Sequence, residues 1–183
     1  TNKIAEGELM QLANKNNLNT SLQQLKKISY YKTGRLFEAS AKSAAMLSGK
    51  SIPFIENISK AAKLIGIAFQ VRDDLLDYGV SKGNIGKPEM QDILEDKITY
   101  PLYFALKYSN KKDSSKILKK LKNKDFSIKE VADFVSSSNA FNKCNSLIQN
   151  YNNEISKCIN QISNKEIRDE MLNLSESLKN RYE

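Results

Sequence analysis

Three carboxylates within five positions dominate the chemistry open to this chain: Asp73, Asp74 and Asp77, in the stretch FQVRDDLLDY at residues 69–78. Phe69, Val71, Leu75 and Leu76 give that stretch the apolar content of a buried helix. On a helix, Asp73 and Asp77 share a face one turn apart, and Asp74 sits at its edge, about 100° round. Like charges at that spacing cost an isolated helix about 0.2–0.5 kcal/mol, and carboxylates near a helix C-terminus oppose its dipole. Three compensations stay open on spacing alone. The carboxylates could face water, pair with a nearby cation such as Arg72, or hold a divalent cation. Mg²⁺ takes one or two carboxylates, keeps several waters and shares substrate phosphates.

Other polar residues in apolar surroundings bear on the choice. Gln70 lies one turn before Asp73 and Asp74 and extends the polar stripe. Such a stripe on an otherwise apolar helix suits a lined cavity better than bulk water. Gly66 costs a helix interior about 1 kcal/mol against Ala, and the close approach of another helix would explain it. Lys32–Thr33–Gly34 falls mid-helix between Tyr31 and Leu36. It suits either a solvated Lys or an ammonium and hydroxyl aimed at a phosphate. The run GNIGKP is not a Walker loop, because Pro88 stands where Ser or Thr is needed and no strand precedes it. Lys87 can still reach the acidic helix end across that loop. Asp92, Asp96 and Lys97 precede a helix beginning at Pro101, and Lys97 is a further candidate for the same site.

Composition narrows the chemistry further. The chain has 183 residues, 40% of them apolar, enough for one domain with a real core. It has no His, and its two Cys, Cys144 and Cys158, are isolated. That removes zinc sites, His-dependent nucleophile systems and haem attachment, and leaves oxygen ligands for any metal. Reduced thiols are expected. No run of about 20 apolar residues suits a membrane span, and TNKIAEGELM lacks the apolar core of a signal peptide. The chain opens on Thr1, so the expectation is a fragment or processed product from which a targeting segment can have been lost. The net charge is +8, of which Lys107–Lys124, with eight Lys and one Asp, carries +7. A solvated face is the commoner meaning of such a run. It has few aromatics to stack on bases, so no nucleic-acid partner is expected.

Helical periodicity runs through nearly the whole sequence and predicts about eight helices in one all-α domain over residues 1–183. The first covers about 3–15 with Ile4, Leu9 and Leu12 inward. Thr20 with Gln23 predicts a capping box opening one long helix to Leu47, ended by Gly49. Ser51 and Pro53 start the acidic helix, which stops at Gly79. Residues 79–90 form a loop, LYFALKY is helical, and Ser127 with Glu130 caps another helix. A closing pair spans Asn139–Ile162 and Lys165–Arg181.

The segments GELMQ, KTGRLFEAS, GIAFQVRDDLLDY and GKPEMQDILEDKITYP occur in that order. Together they resemble the C-terminal part of the trans-polyprenyl diphosphate synthases, which are class I isoprenoid synthases. The wording is closest to the octaprenyl-type, long-chain members, over about residues 4–108. The resemblance implies an all-α isoprenoid-synthase bundle around a deep central cavity. It implies a chain-elongating prenyltransferase that joins isopentenyl diphosphate to an allylic diphosphate with Mg²⁺. By the same resemblance Asp73 would bind Mg²⁺ bridging to the allylic diphosphate, with Asp74 and Asp77 as direct or water-mediated partners. Lys32, Thr33, Gln70, Lys87 and Lys97 would line the diphosphate. A homodimer, a cytoplasmic or organellar location and a peripheral membrane contact through the product are further expectations.

The chain also departs from the family pattern. Residues 1–72 contain no two adjacent Asp, so the family's first aspartate-rich motif is missing and the bundle is expected to be truncated on its N-terminal side. The isolated chain is therefore expected to be inactive. KTG stands where KTA is common, and QDILEDK lacks the usual Gly before Asp92 and before Lys97. The alternatives are a non-catalytic helical subunit that regulates a prenyl synthase partner, a basic helical scaffold that binds anionic membrane or RNA through Lys107–Lys124, or a class I terpene cyclase. Cyclases usually carry a mixed Asn/Ser/Glu second motif, so three Asp speak for chain elongation.

Overall fold

In a computed structural model that describes residues 2–79 and 90–180, the described chain is helical and has no strand. Lys87 and the GNIGKP run lie outside the described residues. The helices are α1 (Asn2–Ala13), α2 (Leu22–Ser29), α3 (Arg35–Leu47), α4 (Ile52–Asp77), α5 (Gln91–Leu94), α6 (Tyr100–Tyr108), α7 (Lys111–Asn123), α8 (Ile128–Ser137), α9 (Ala140–Ile159) and α10 (Lys165–Asn180). A π-helical segment, Tyr30–Gly34, joins α2 to α3. The four-residue α5 and the lysine-rich α7 were not anticipated as helices.

Helix α4 is the axis of the fold. Its 26 residues make a rod about 39 Å long. Pro53 sits in its first turn behind Ser51, as expected, and Gly79 (φ 70°) turns the chain away at its end. One side of α4 packs on α3 and the other on α9. Ala61, Ile65, Ala68, Val71 and Leu75 are fully buried along it. The N-terminal part of α4 meets α9 through Ile155 and Ile159. Its C-terminal part joins a larger core with Tyr100 and Leu102 of α6, Val131 and Val135 of α8, and Cys144 of α9. Both cysteines are free and buried. No described helix is long and apolar enough to cross a membrane.

Three local expectations are corrected. The single helix from Thr20 to Leu47 is two helices joined by the π segment. A Cβ on Gly66 would lie 2.6 Å from Gly34 Cα, and one on Gly7 would lie 2.7 Å from the Tyr31 carbonyl carbon and 2.8 Å from Lys32 Cα. The π segment is thus seated between α1 and α4 by backbone contacts that only Gly permits, which accounts for the helix-weakening choices at Gly34 and Gly66. The capping box lies one residue on: the Ser21 N–H donates to Gln24 Oε1 (2.8 Å), and the Gln24 N–H donates to Ser21 Oγ (3.2 Å). Thr20 instead takes the Asn14 amide (2.8 Å) and donates to the Asn17 carbonyl (2.6 Å). Finally, Leu9 and Leu12 are 64% and 50% exposed rather than inward. Helix α1 docks through its Gly7 face, and both leucines lie on the far side. Ser127 does cap α8, accepting from the Glu130 N–H at 3.1 Å.

Candidate functional site

The carboxylates end α4 where the π segment, α5 and the start of α6 converge. Gln70 is the hub. Its Oε1 accepts from Thr33 Oγ1 at 2.8 Å, and its Nε2 donates to Asp74 Oδ1 at 2.9 Å. The other Asp74 oxygen accepts from the Tyr100 N–H at 3.3 Å, at the N-terminus of α6. The Tyr100 hydroxyl shares a 3.0 Å hydrogen bond with Ser29 Oγ, which donates to the Leu25 carbonyl. A continuous polar chain therefore links the π segment, α4, α6 and α2, beside the close approach of Gly34 to Gly66.

Asp77 has a positional task as well. Its two oxygens accept from the Gln91 and Asp92 N–H groups at 2.9 and 3.0 Å, capping the first turn of α5. That cap brings Asp92 to the acidic end of α4. Asp73 is half-buried beside them.

Lys32 and Lys97 flank the cluster. Lys32 Nζ donates to Gln11 Oε1 at 2.8 Å and lies 3.5 Å from Glu8. Lys97 Nζ lies 2.7 Å from Glu95 and 3.6 Å from Asp92. Both lysines, with Gln11, Gln70, Asp74 and Tyr100, line one small cavity of about 20 Å³, room for about one water. Of the residues singled out in the sequence, Lys32, Gln70, Lys97 and Asp74 thus meet in one cavity, and Thr33 joins them through Gln70. Asp73 and Asp77 are not part of its lining.

Burial dominates the electrostatics of the cluster. Asp74 is 6% exposed. Burial pushes its carboxyl well above the ordinary range, and the Asp92 charge adds to this. Burial likewise raises Asp77. Asp92 is pushed up to about 6 by burial and then by Asp77, although Lys97 and Lys32 pull the other way. Asp92 is the member that sequence reasoning left without a role. It lies 19 residues beyond Asp73, and only the acidity of QDILED hinted at it.

Among the described residues, no three carboxylates converge into a ready-made metal cage. The donor set nonetheless fits a hard divalent cation such as Mg²⁺: it is all oxygen, in a chain with no His, and it crowds carboxylates whose charge burial disfavours. A carboxylate oxygen that accepts one such hydrogen bond still has a second lone pair to offer a cation.

Comparison with known proteins bears on this arrangement. The polyprenyl synthetase family profile matches residues 1–138. The octaprenyl diphosphate synthase of Haemophilus influenzae is 36% identical over 117 residues, which cover 64% of this chain and 36% of that protein. A probable mitochondrial hexaprenyl pyrophosphate synthase of Yarrowia lipolytica is 29% identical over 97% of this chain and 40% of its own length. The polyprenyl synthase of Caulobacter crescentus, solved with calcium and isoprenyl diphosphate, superposes with a TM-score of 0.90 at 25% identity, over 100% of this chain and 56% of that one. A decaprenyl diphosphate synthase from Rhodobacter capsulatus superposes at 0.87 with 23% identity, over 99% and 57%. The chain therefore spans well under two thirds of the length of these relatives.

Proposed function

We propose a function from one premise: the chain belongs to the polyprenyl synthetase family. It forms part of a chain-elongating prenyltransferase that condenses isopentenyl diphosphate with an allylic diphosphate. The observation that carries this reading is the convergence of Lys32, Gln70, Asp74 and Lys97 at the acidic end of α4. An oxygen-only acidic cluster flanked by two ammonium groups is the chemistry that a magnesium diphosphate needs.

In this reading Asp73 is the principal metal-binding carboxylate, and Asp74, Asp77 and Asp92 hold the surrounding negative charge. When bound, Mg²⁺ supplies charge neutralisation on the leaving pyrophosphate. Lys32 and Lys97 turn from their acidic partners to the diphosphate and stabilise the charge that grows on it as the allylic carbon–oxygen bond breaks. Lys87, outside the described residues, is assigned to the same group. The bond's electron pair leaves with pyrophosphate. The double bond of the second substrate attacks the allylic cation, and a proton is then lost. Gln70 acts as a positioning residue, since it locks Thr33 and Asp74 in register.

The chain spans 36–40% of the curated relatives above and carries one aspartate-rich motif. We propose that it is inactive by itself and works with polypeptide that supplies the opposite acidic wall. Exposed apolar side chains on α1, α3 and α4, among them Leu9, Leu36, Leu47 and Ile52, support an extensive partner surface there, including that of a homodimer. The test is to assay the purified 183-residue chain with Mg²⁺, an allylic diphosphate and labelled isopentenyl diphosphate. No incorporation is expected from the chain alone. Elongation at an enzyme-like rate would overturn the split-site reading.

A further inference from the structure

We propose that the outer face of α7 docks on an anionic phospholipid surface. Helix α7 buries Ser114 and Ile117 toward the core and half-buries Leu121. On the opposite side Lys112, Lys116 and Lys119 fall within about 60° of one another. Lys111 and Lys122 extend the row, and all five are exposed. None makes an ion pair with a described residue. The neighbouring lysines that do have structural tasks are different ones: Lys120 pairs with Glu130 and Lys124 with Asp96, each at 2.7 Å. The one acid of the helix, Asp113, is held in the first turn by the Asn110 amide at 2.6 Å, at the edge of the lysine face.

A face exposed only for solubility mixes its signs. The exposed surface of α10 does so with Lys165, Glu166, Asp169 and Glu170. The α7 face instead sets Lys112 against Lys116 and Lys116 against Lys119, at helical spacings where like charges weaken the helix. A general bias toward lysine does not explain why +7 of the net +8 falls between Lys107 and Lys124. The face repels itself, and a dense anionic surface relieves that.

The chemistry favours lipid over nucleic acid. The face is all lysine, a set of compact point charges without the planar fork or stacking surface of Arg. Tyr108 stands at the junction of α6 and α7. It is 50% exposed, with Lys143 Nζ 4.7 Å and Lys107 Nζ 5.8 Å from its ring centroid. An amphipathic ring between two ammonium groups suits the headgroup level of a bilayer. Lysines beside an anionic leaflet each strengthen binding about fivefold.

The inference is independent of the prenyl chemistry, because vesicle binding and turnover are separate measurements. The 183-residue chain is sedimented with phosphatidylcholine vesicles containing or lacking phosphatidylserine. Binding to the anionic vesicles only, weakening as salt rises, is expected. The triple variant Lys112→Gln/Lys116→Gln/Lys119→Gln should bind on the order of 100-fold more weakly with unchanged circular dichroism, whereas Lys60→Gln should change nothing. No binding to anionic vesicles, equal binding to neutral ones, or tighter binding to single-stranded RNA at the same salt would overturn the proposal.

Discussion

Gln70 decides whether the acidic cluster is ordered. It joins a hydroxyl donor to a buried carboxylate, and nothing shorter than Gln spans both. Gln70→Ala leaves Thr33 and Asp74 without these partners and should lower stability by about 1–3 kcal/mol, read as a drop in denaturant midpoint. The neighbouring carboxylates have the opposite character. Asp92 is raised by burial and by Asp77, so its charge opposes folding at neutral pH when no cation is bound. Asp92→Asn should therefore raise the melting temperature in chelator and shrink the further rise that Mg²⁺ gives. A variant that melts lower in chelator would contradict this reading of Asp92. Part of this cluster stood out in the residues themselves: the three Asp, Gln70, Lys32 and Thr33 as polar groups in apolar company, and Lys97 as a cation just before the helix at Pro101. Asp92 did not, because its proximity depends on Asp77 capping α5, a contact between residues 15 apart.

The π segment is the element that the sequence hid. Periodicity cannot distinguish one extra residue in a turn from a continuous helix, so Thr20–Leu47 read as one rod. Only the three glycines, Gly7, Gly34 and Gly66, marked where backbones approach, and their partners belong to different elements. Gly66→Ala would place a methyl carbon 2.6 Å from Gly34 Cα. The fixed backbone there makes it an overpacking change of about 1–3 kcal/mol. Circular dichroism melts should show this loss, whereas Gly49→Ala meets no neighbouring atom and is strained only by its φ of 62°. A clasp at the far side of the π segment adds a pH response. Tyr30 Oη and Arg35 donate to Glu38 at 2.7 and 2.9 Å. Burial raises the Glu38 carboxyl, but these hydrogen bonds outweigh burial and hold it below its usual range. A depressed carboxylate stabilises above its unfolded pKa, near 4.3, and loses that contribution as pH falls through its lower folded value. Glu38→Gln should therefore flatten the acid limb of the stability profile, by a few tenths of a kcal/mol for this partly exposed group.

For the molecule as a whole, the all-α class, the acidic helix with its start at Pro53 and stop at Gly79, and the cap at Ser127 followed from composition and end signals. The outward turn of Leu9 and Leu12 did not, since an apolar residue on an amphipathic pattern carries no label for which body covers it. Under the proposed function, those exposed leucines and the single aspartate-rich motif both fit a site that works together with a partner surface. The central claim, that Asp73 anchors a cation-bound diphosphate at the end of α4, is tested most directly by turnover. Labelled isopentenyl diphosphate and an allylic diphosphate are supplied with Mg²⁺ to the protein as it occurs in its own cells, with Asp73 intact or replaced by Asn. The account predicts a loss on the order of 100-fold or more for Asp73→Asn with helix content unchanged. Equal turnover by the two proteins would contradict it.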